Sequence, residues 1–403
     1  MNKFKNVTRI YDLLEKGQWG DFKDLPHRAF GLPHDSLNVV GSDRLLEFNQ
    51  LINALYESES IIHRSYSQKV FLDRLISFVG ERKGSEEKPK ETEVKTFFGQ
   101  LKAEELLDYK VYREIFGVVL PKGKSISFGN FKISPFEASK TEEFQDLGEH
   151  SLALIATPRK PEYIIRYEVK SRDKIRALEL ADEAYEKFIL FLRYVIGNTN
   201  DKFEVGILEF SGYRSRSAFI ISEKGSTNET SRYGYFEPVP LDDSYFVNTE
   251  AGYDKIWELI DKPSLSRLEK RFSTAIEWLG RALTERTIQA AFIEASIALE
   301  SLFTHSEKSI ISPSILSQIS ESTALILGDE YESRIEIERH IKKLYSIRSG
   351  IVHAGSKEVA SEDFELFIFY IRKVIVQLIT SKDYEGCTTI ENLYDKLKQI
   401  KYS

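Results

Sequence analysis

Ile341-Lys342-Lys343-Leu344-Tyr345-Ser346-Ile347-Arg348-Ser349-Gly350-Ile351-Val352-His353-Ala354-Gly355 is the stretch on which the reading of this 403-residue chain turns. It closes a candidate helix, Tyr331 to Arg348, and runs into a break marked by the Ala354-Gly355 pair. Around it the pattern is helical from about Ala251 almost to the end. Further candidate helices cover Ala251 to Asp261, Ser264 to Leu283, Arg286 to Phe303, Ile315 to Leu327 and Ser361 to Thr380, punctuated by Pro263, Pro313 and Gly328. The spacing predicts an all-α bundle of roughly 150 residues, large enough to fold alone.

Ahead of the bundle the period changes twice. The first hundred residues read mostly as helix, with runs from Asp43 to Leu55 and from Val70 to Val79. The charged segment Glu81 to Glu93, carrying Gly84, Ser85 and Pro89, reads as an exposed loop. Lys110 to Asn248 then reads as a small α+β module. Strand-like runs at Phe116 to Leu120 and Ser125 to Phe128 are punctuated by Pro121-Lys122-Gly123 and Gly129-Asn130, as in hairpins. Further strands are expected at Leu152 to Thr157, Tyr163 to Val169, Phe203 to Phe210 and Ser217 to Ser222. A long helix from Ser171 to Gly197 has Ser171 or Asp173 as N-cap and Gly197 as its stop. The expected class is α+β: a mixed helical and α+β region over 1–250, then an all-α bundle over 251–403.

Composition limits the function classes. With 41% apolar and 30% charged residues the chain has ordinary globular content, enough for a core without disulfides or a structural metal. The single Cys387 cannot pair within the chain or build a Cys-rich zinc site. No signal-peptide core appears in Met1 to Lys16, and the most apolar run, Phe364 to Ile379, is interrupted by Arg372, Lys373 and Gln377. A cytoplasmic protein without membrane contact is expected. A formal charge of −7 argues against a general basic coat for nucleic acid. Locally the sign reverses. Six Lys or Arg face four Glu between Tyr331 and Ala360, and six basic residues face three acidic ones between Lys262 and Thr287, which suits either RNA or a solvated helix face.

Ala298-Leu299-Glu300-Ser301-Leu302-Phe303, followed by the opening stretch, resembles the HEPN superfamily, most closely the ApeA-like HEPN subgroup of bacterial anti-phage proteins. The resemblance covers roughly Pro263 to Thr380, and its signature is an Arg and a His four to six residues apart at the end of a bundle helix. It implies an endoribonuclease that needs no metal or other cofactor, works as a homodimer through the bundle, and serves as a toxin or abortive-infection effector in antiviral defense. Arg348 and His353 would be its catalytic pair. Glu300 matches the family's acid on the second helix, with a positioning role toward Arg348 or a neighbouring helix. The substrate implied is RNA, with a tRNA anticodon loop as one target, and the N-terminal region would answer a phage-derived trigger or regulatory partner.

The spacing alone is not selective, because Arg28 to His34 and Arg334 to His340 fit the same loose pattern. Context singles out Arg348 and His353: the helix before, the break after, and the Leu299-Glu300 helix upstream. The pair suits RNA cleavage. A neutral imidazole takes the 2′-OH proton or returns one to the leaving 5′-oxygen, while a guanidinium holds the charge gathering on phosphorus. DNA lacks that 2′-OH. On an unbroken helix, however, five residues rotate by about 500°, leaving the side chains roughly 140° apart. Either the helix loosens at Gly350 or two protomers supply the pair.

Ser349 is read either as a phosphate-orienting hydroxyl or as a helix-surface serine. Tyr345, three residues before Arg348 on the same face, is read as a base-stacking ring or as core. His305 and His340 read as surface or helix-end histidines. No Walker loop, dinucleotide glycine pattern, zincin helix or nucleophile elbow is present. The competing function is a non-catalytic module for dimerisation or RNA binding.

Overall fold

A computed structural model of the chain describes residues 2–17, 26–30, 36–122, 124–137, 162–197, 205–207, 216–222, 225–231, 239–285, 287–305, 315–354 and 358–402. The class is α+β, and the chain forms two compact units: Met1–Val111 with Glu168–Asp182, and Tyr112–Tyr167 with Glu183–Ser403.

The first unit is built on five helices, α1 (Lys3–Leu13), α2 (Ser42–Glu57), α3 (Ser60–Ser65), α4 (Gln68–Gly84) and α5 (Glu91–Ala103). Helix α4 shows why they form. Ser67 caps it by accepting from the Val70 N–H at 3.2 Å, and Phe71, Leu72, Leu75, Ile76 and Val79 recur at helical spacing and are buried. They join Val7, Ile10, Phe48, Ile52, Leu55, Phe98 and Leu101 in one core. The expected loop over 81–93 is corrected. Helix α4 runs on to Gly84, so only residues 85–90 separate it from α5. Glu81, Arg82 and Lys83 are good helix formers that extend the helix without needing core, and Arg82 pairs with Glu93 of α5 at 3.3 Å. A small antiparallel sheet in the order β1-β3-β2, from β1 (Glu15–Gly17), β2 (His27–Phe30) and β3 (Ser36–Val40), was not expected. Strand β2 carries Arg28; His34 lies outside the described residues.

Three elements cross the line between the units: β4 (Leu107–Phe116), β8 (Tyr163–Ser171) and α6 (Lys174–Ile196). Asp173 is the α6 N-cap. Its Oδ1 accepts from the Ile175 and Arg176 N–H groups, each at 2.9 Å, and its Oδ2 accepts from the Ser67 N–H at 2.8 Å. At the other end Gly197 takes φ 65° and donates its N–H to the Arg193 carbonyl at 2.9 Å.

The second unit holds a five-stranded sheet in the order β6-β7-β8-β4-β9, with β6 (Ile126–Phe128), β7 (Phe131–Pro135) and β9 (Gly206–Ile207). Gly129-Asn130 is the two-residue loop of the β6–β7 hairpin, Gly129 at φ 49° supplying the turn and Phe128 facing Phe131 in register. The run around Val118 behaves differently from expectation. Strand β5 (Val118–Val119) pairs in parallel with β12 (Val239–Pro240) rather than with β6, so Pro121-Lys122 leads away from β5 rather than closing a hairpin. Between them in sequence, β10 (Arg216–Ser222) and β11 (Gly225–Ser231) form an antiparallel pair. The strand expected at Leu152 to Thr157 lies outside the described residues.

After Pro240 no strand is described, and the chain is helical: α7 (Tyr253–Asp261), α8 (Arg267–Ala282), α9 (Ile288–Phe303), α10 (Ile315–Leu327), α11 (Tyr331–Ala354), α12 (Ser361–Thr380) and α13 (Ile390–Tyr402). The change of pattern near 250 is therefore present, although the line between the compact units runs elsewhere. Helix α9 packs against α8, α10, α11 and α12. Its Ala291, Phe292, Ala295, Ala298, Leu299 and Leu302 are buried, and Phe292 stacks on Phe367 of α12 with ring centroids 4.9 Å apart. Helix α8 approaches α6 so closely at Gly280 that a Cβ there would collide with the Leu190 carbonyl. Among the described residues, no helix is long and apolar enough to cross a membrane.

Candidate functional site

The rotational phase of α11 is set by two side chains. Ile341 and Leu344 are fully buried, so the helix turns that stripe toward its neighbours. Arg348 lies one turn beyond Leu344, about 40° around, and stays at the edge of the inward stripe with its side chain 25% exposed. His353 lies nine residues beyond Leu344, about 180° around, and is exposed. Core packing at two leucine-type positions thus dictates that the arginine is half-buried and the histidine faces out.

Helix α11 does not end at Arg348. It continues without interruption to Ala354, carrying Gly350 and His353 within it. A single glycine costs a helix roughly 1 kcal/mol relative to alanine, too little to stop one whose preceding turns are packed. The helix therefore does not loosen at Gly350, one of the two alternatives that the spacing left open. Arg348 and His353 stand roughly 140° apart on one rod, and one copy of the helix does not bring them to a common phosphate.

Arg348 is held on its inward side. Its Nη2 lies 3.2 Å from Glu300 Oε1 on α9, and the same oxygen accepts from the Tyr345 hydroxyl at 2.7 Å. The Arg348 guanidinium sits over the Tyr345 ring, 5.5 Å from its centroid. Burial and the Glu300 carboxylate push the Tyr345 phenol up from its ordinary value, which keeps it a donor. Arg348 Nε is buried and unpartnered. His353 has no hydrogen-bond or ion-pair partner among the described residues.

No family model, curated protein or solved structure matches this chain. The site is therefore read from its own geometry. Glu300, Tyr345 and Arg348 come together as one cluster; His353 stands apart from it on the same helix. Ser349 is half-buried one turn before His353 on the histidine's side of the helix. Tyr345 is neither wholly core nor an open platform: it is half-buried, with its hydroxyl and one ring face engaged. That contact is what the sequence did not reveal. Tyr345 and Arg348 share a face by spacing, but their meeting with Glu300 depends on how α9 crosses α11.

His340 and His305 are engaged elsewhere. His340 Nδ1 is 2.7 Å from the Tyr370 hydroxyl, and His305 Nδ1 is 3.8 Å from Glu391 Oε1. Among the described residues, no three His, Cys, Asp or Glu side chains gather where a metal ion would sit. Chemically, the cluster offers a cation held beside a carboxylate, and the helix end offers an imidazole open to solvent.

Proposed function

We propose that the chain is a metal-independent endoribonuclease of HEPN type, cytoplasmic, acting as an anti-phage or toxin effector on RNA, with tRNA as a target. The observation that supports it is the division of labour on α11: Arg348 is held beside Glu300, and His353 is exposed, with no partner among the described residues. Both side chains lie outside the bundle core.

In this reading a neutral His353 takes the proton from a ribose 2′-OH as that oxygen attacks the adjacent phosphorus. The bond to the 5′-oxygen breaks, a 2′,3′-cyclic phosphate forms, and the departing 5′-oxygen receives a proton from an imidazolium. Arg348 carries the extra negative charge of the five-coordinate phosphorus through its planar donors. Because the two side chains diverge on an unbroken helix, the reacting phosphate lies between two copies of the chain, with Arg348 from one and His353 from the other. Ser349 orients a phosphate oxygen, and the N-terminal region answers a phage-derived trigger or a regulatory partner.

Arg348→Ala and His353→Ala, purified and melted beside wild type, test this. Both are expected to abolish RNA cleavage and cell toxicity while unfolding within a few degrees of wild type, and chelator is expected to leave the wild-type rate unchanged. Cleavage by both variants at the wild-type rate ends this reading. A second reading, a non-catalytic dimerisation or RNA-binding module, draws support from the net charge of −7. It predicts RNA retention or self-association with no cleavage by any form.

A further inference from the structure

We infer that Tyr345 is a positioning residue for Arg348, acting through Glu300; this rests on the ribonuclease reading of the site. Three contacts define the arrangement. The Tyr345 hydroxyl donates to Glu300 Oε1 at 2.7 Å, Arg348 Nη2 meets that same oxygen at 3.2 Å, and the Tyr345 ring lies beneath the guanidinium at 5.5 Å.

Each contact removes one freedom from Arg348. The carboxylate draws the guanidinium to one side, with Nη2 3.2 Å from Oε1. Ring and guanidinium, three residues apart on one helix face, fix how the guanidinium plane lies. The phenol then fixes the carboxylate itself. Glutamate has three side-chain torsions, and a carboxylate at a partly exposed helix–helix edge has water as a competing partner. With the phenol donating to Oε1, the oxygen that receives Arg348 has one location. Nη2 meets Glu300 and Nε is buried without a hydrogen-bond partner, so Glu300 and Tyr345 together settle how the guanidinium lies. Such outer-shell anchoring is what gives a functional side chain its orientation before substrate arrives. It also speaks against Tyr345 as a base-stacking ring on the face that Arg348 covers.

Tyr345→Phe removes one oxygen and keeps the ring, and Glu300→Gln keeps the shape and removes the charge. The two variants and their double form a cycle on steady-state cleavage of a defined RNA. Tyr345→Phe is expected to lower kcat roughly tenfold with KM little changed. The double variant is expected to be no slower than Glu300→Gln alone, since the phenol acts only through the acid.

A second readout does not depend on activity. The rate at which phenylglyoxal modifies Arg348, followed by peptide mass spectrometry, is expected to rise severalfold in Tyr345→Phe and in Glu300→Gln. Equal labelling in Tyr345→Phe and wild type overturns the inference, and so does a faster label with unchanged kcat. If wild type cuts no RNA, the ribonuclease reading fails, and Tyr345 is not a positioning residue for that reaction. The labelling rate then still decides whether Tyr345 holds the Glu300–Arg348 pair.

Discussion

Glu294 on α9 carries the clearest pH signature among single residues. One carboxylate oxygen is buried with no hydrogen-bond partner, and burial, reinforced by Glu285, pushes its pKa up from an ordinary 4.5 against an opposing pull from Arg281. A carboxyl whose folded pKa is raised binds its proton more tightly folded than unfolded. Its favourable contribution is complete below the unfolded value and is lost as pH rises through the folded one. Glu294→Gln keeps the neutral shape at every pH. The variant is therefore expected to melt above wild type at pH 8, with the difference shrinking toward zero near pH 4. A difference that does not vary with pH would show that the charge of Glu294 is not what costs the fold. At this scale part was legible in the sequence: Asp173, one of two candidate caps, and Gly197 as a stop. What was illegible was the hydroxyl of Tyr345 on Glu300, because a hydrogen bond between helices depends on their crossing, not on either sequence alone.

Helix ends show where sequence reading is strong and where it fails. Ile315–Leu327 and Ser361–Thr380 were delimited by their apolar period and by Pro313 and Gly328. The end of α11 was not, because glycine is a weak stop and packing upstream outweighs it. Similarly, α4 extends through charged residues that resemble loop by composition yet suit the outer face of a helix. The short strands β1 to β3 left no usable signal, since runs of three to five residues show too few alternations to be distinguished. Gly350→Ala separates the two ways a continuous α11 relates to function. It is expected to retain RNA cleavage and to stabilise the protein by up to about 1 kcal/mol through helix propensity. Loss of cleavage with a raised melting temperature would mean instead that the helix must open at that glycine.

For the whole molecule, the proposal requires two copies, and that requirement can be tested without a structure of the pair. Arg348→Ala and His353→Ala are each expected to be inactive alone. When they are mixed under conditions that exchange subunits, half the dimers contain one of each. Such a dimer has one composite site intact and one lacking both groups, so about a quarter of wild-type cleavage should return. No recovery, despite verified exchange, would place both residues of a working site in one chain. The net charge of −7 makes the same demand from another direction. Attraction for RNA cannot come from the surface as a whole and has to be concentrated near the paired helices, so binding should weaken with added salt along a shallow slope set by a small number of phosphates.

The unbroken run of α11 through Gly350 has one more consequence. If neither chain alone can assemble the Arg348–His353 pair, turnover at low abundance scales with the square of chain concentration rather than with concentration itself. A cell holding a few copies would be nearly silent, and a tenfold rise would raise the rate about a hundredfold until dimers saturate. A straight helix would then act as a dosage threshold: expression level, before any trigger, sets whether RNA is cut.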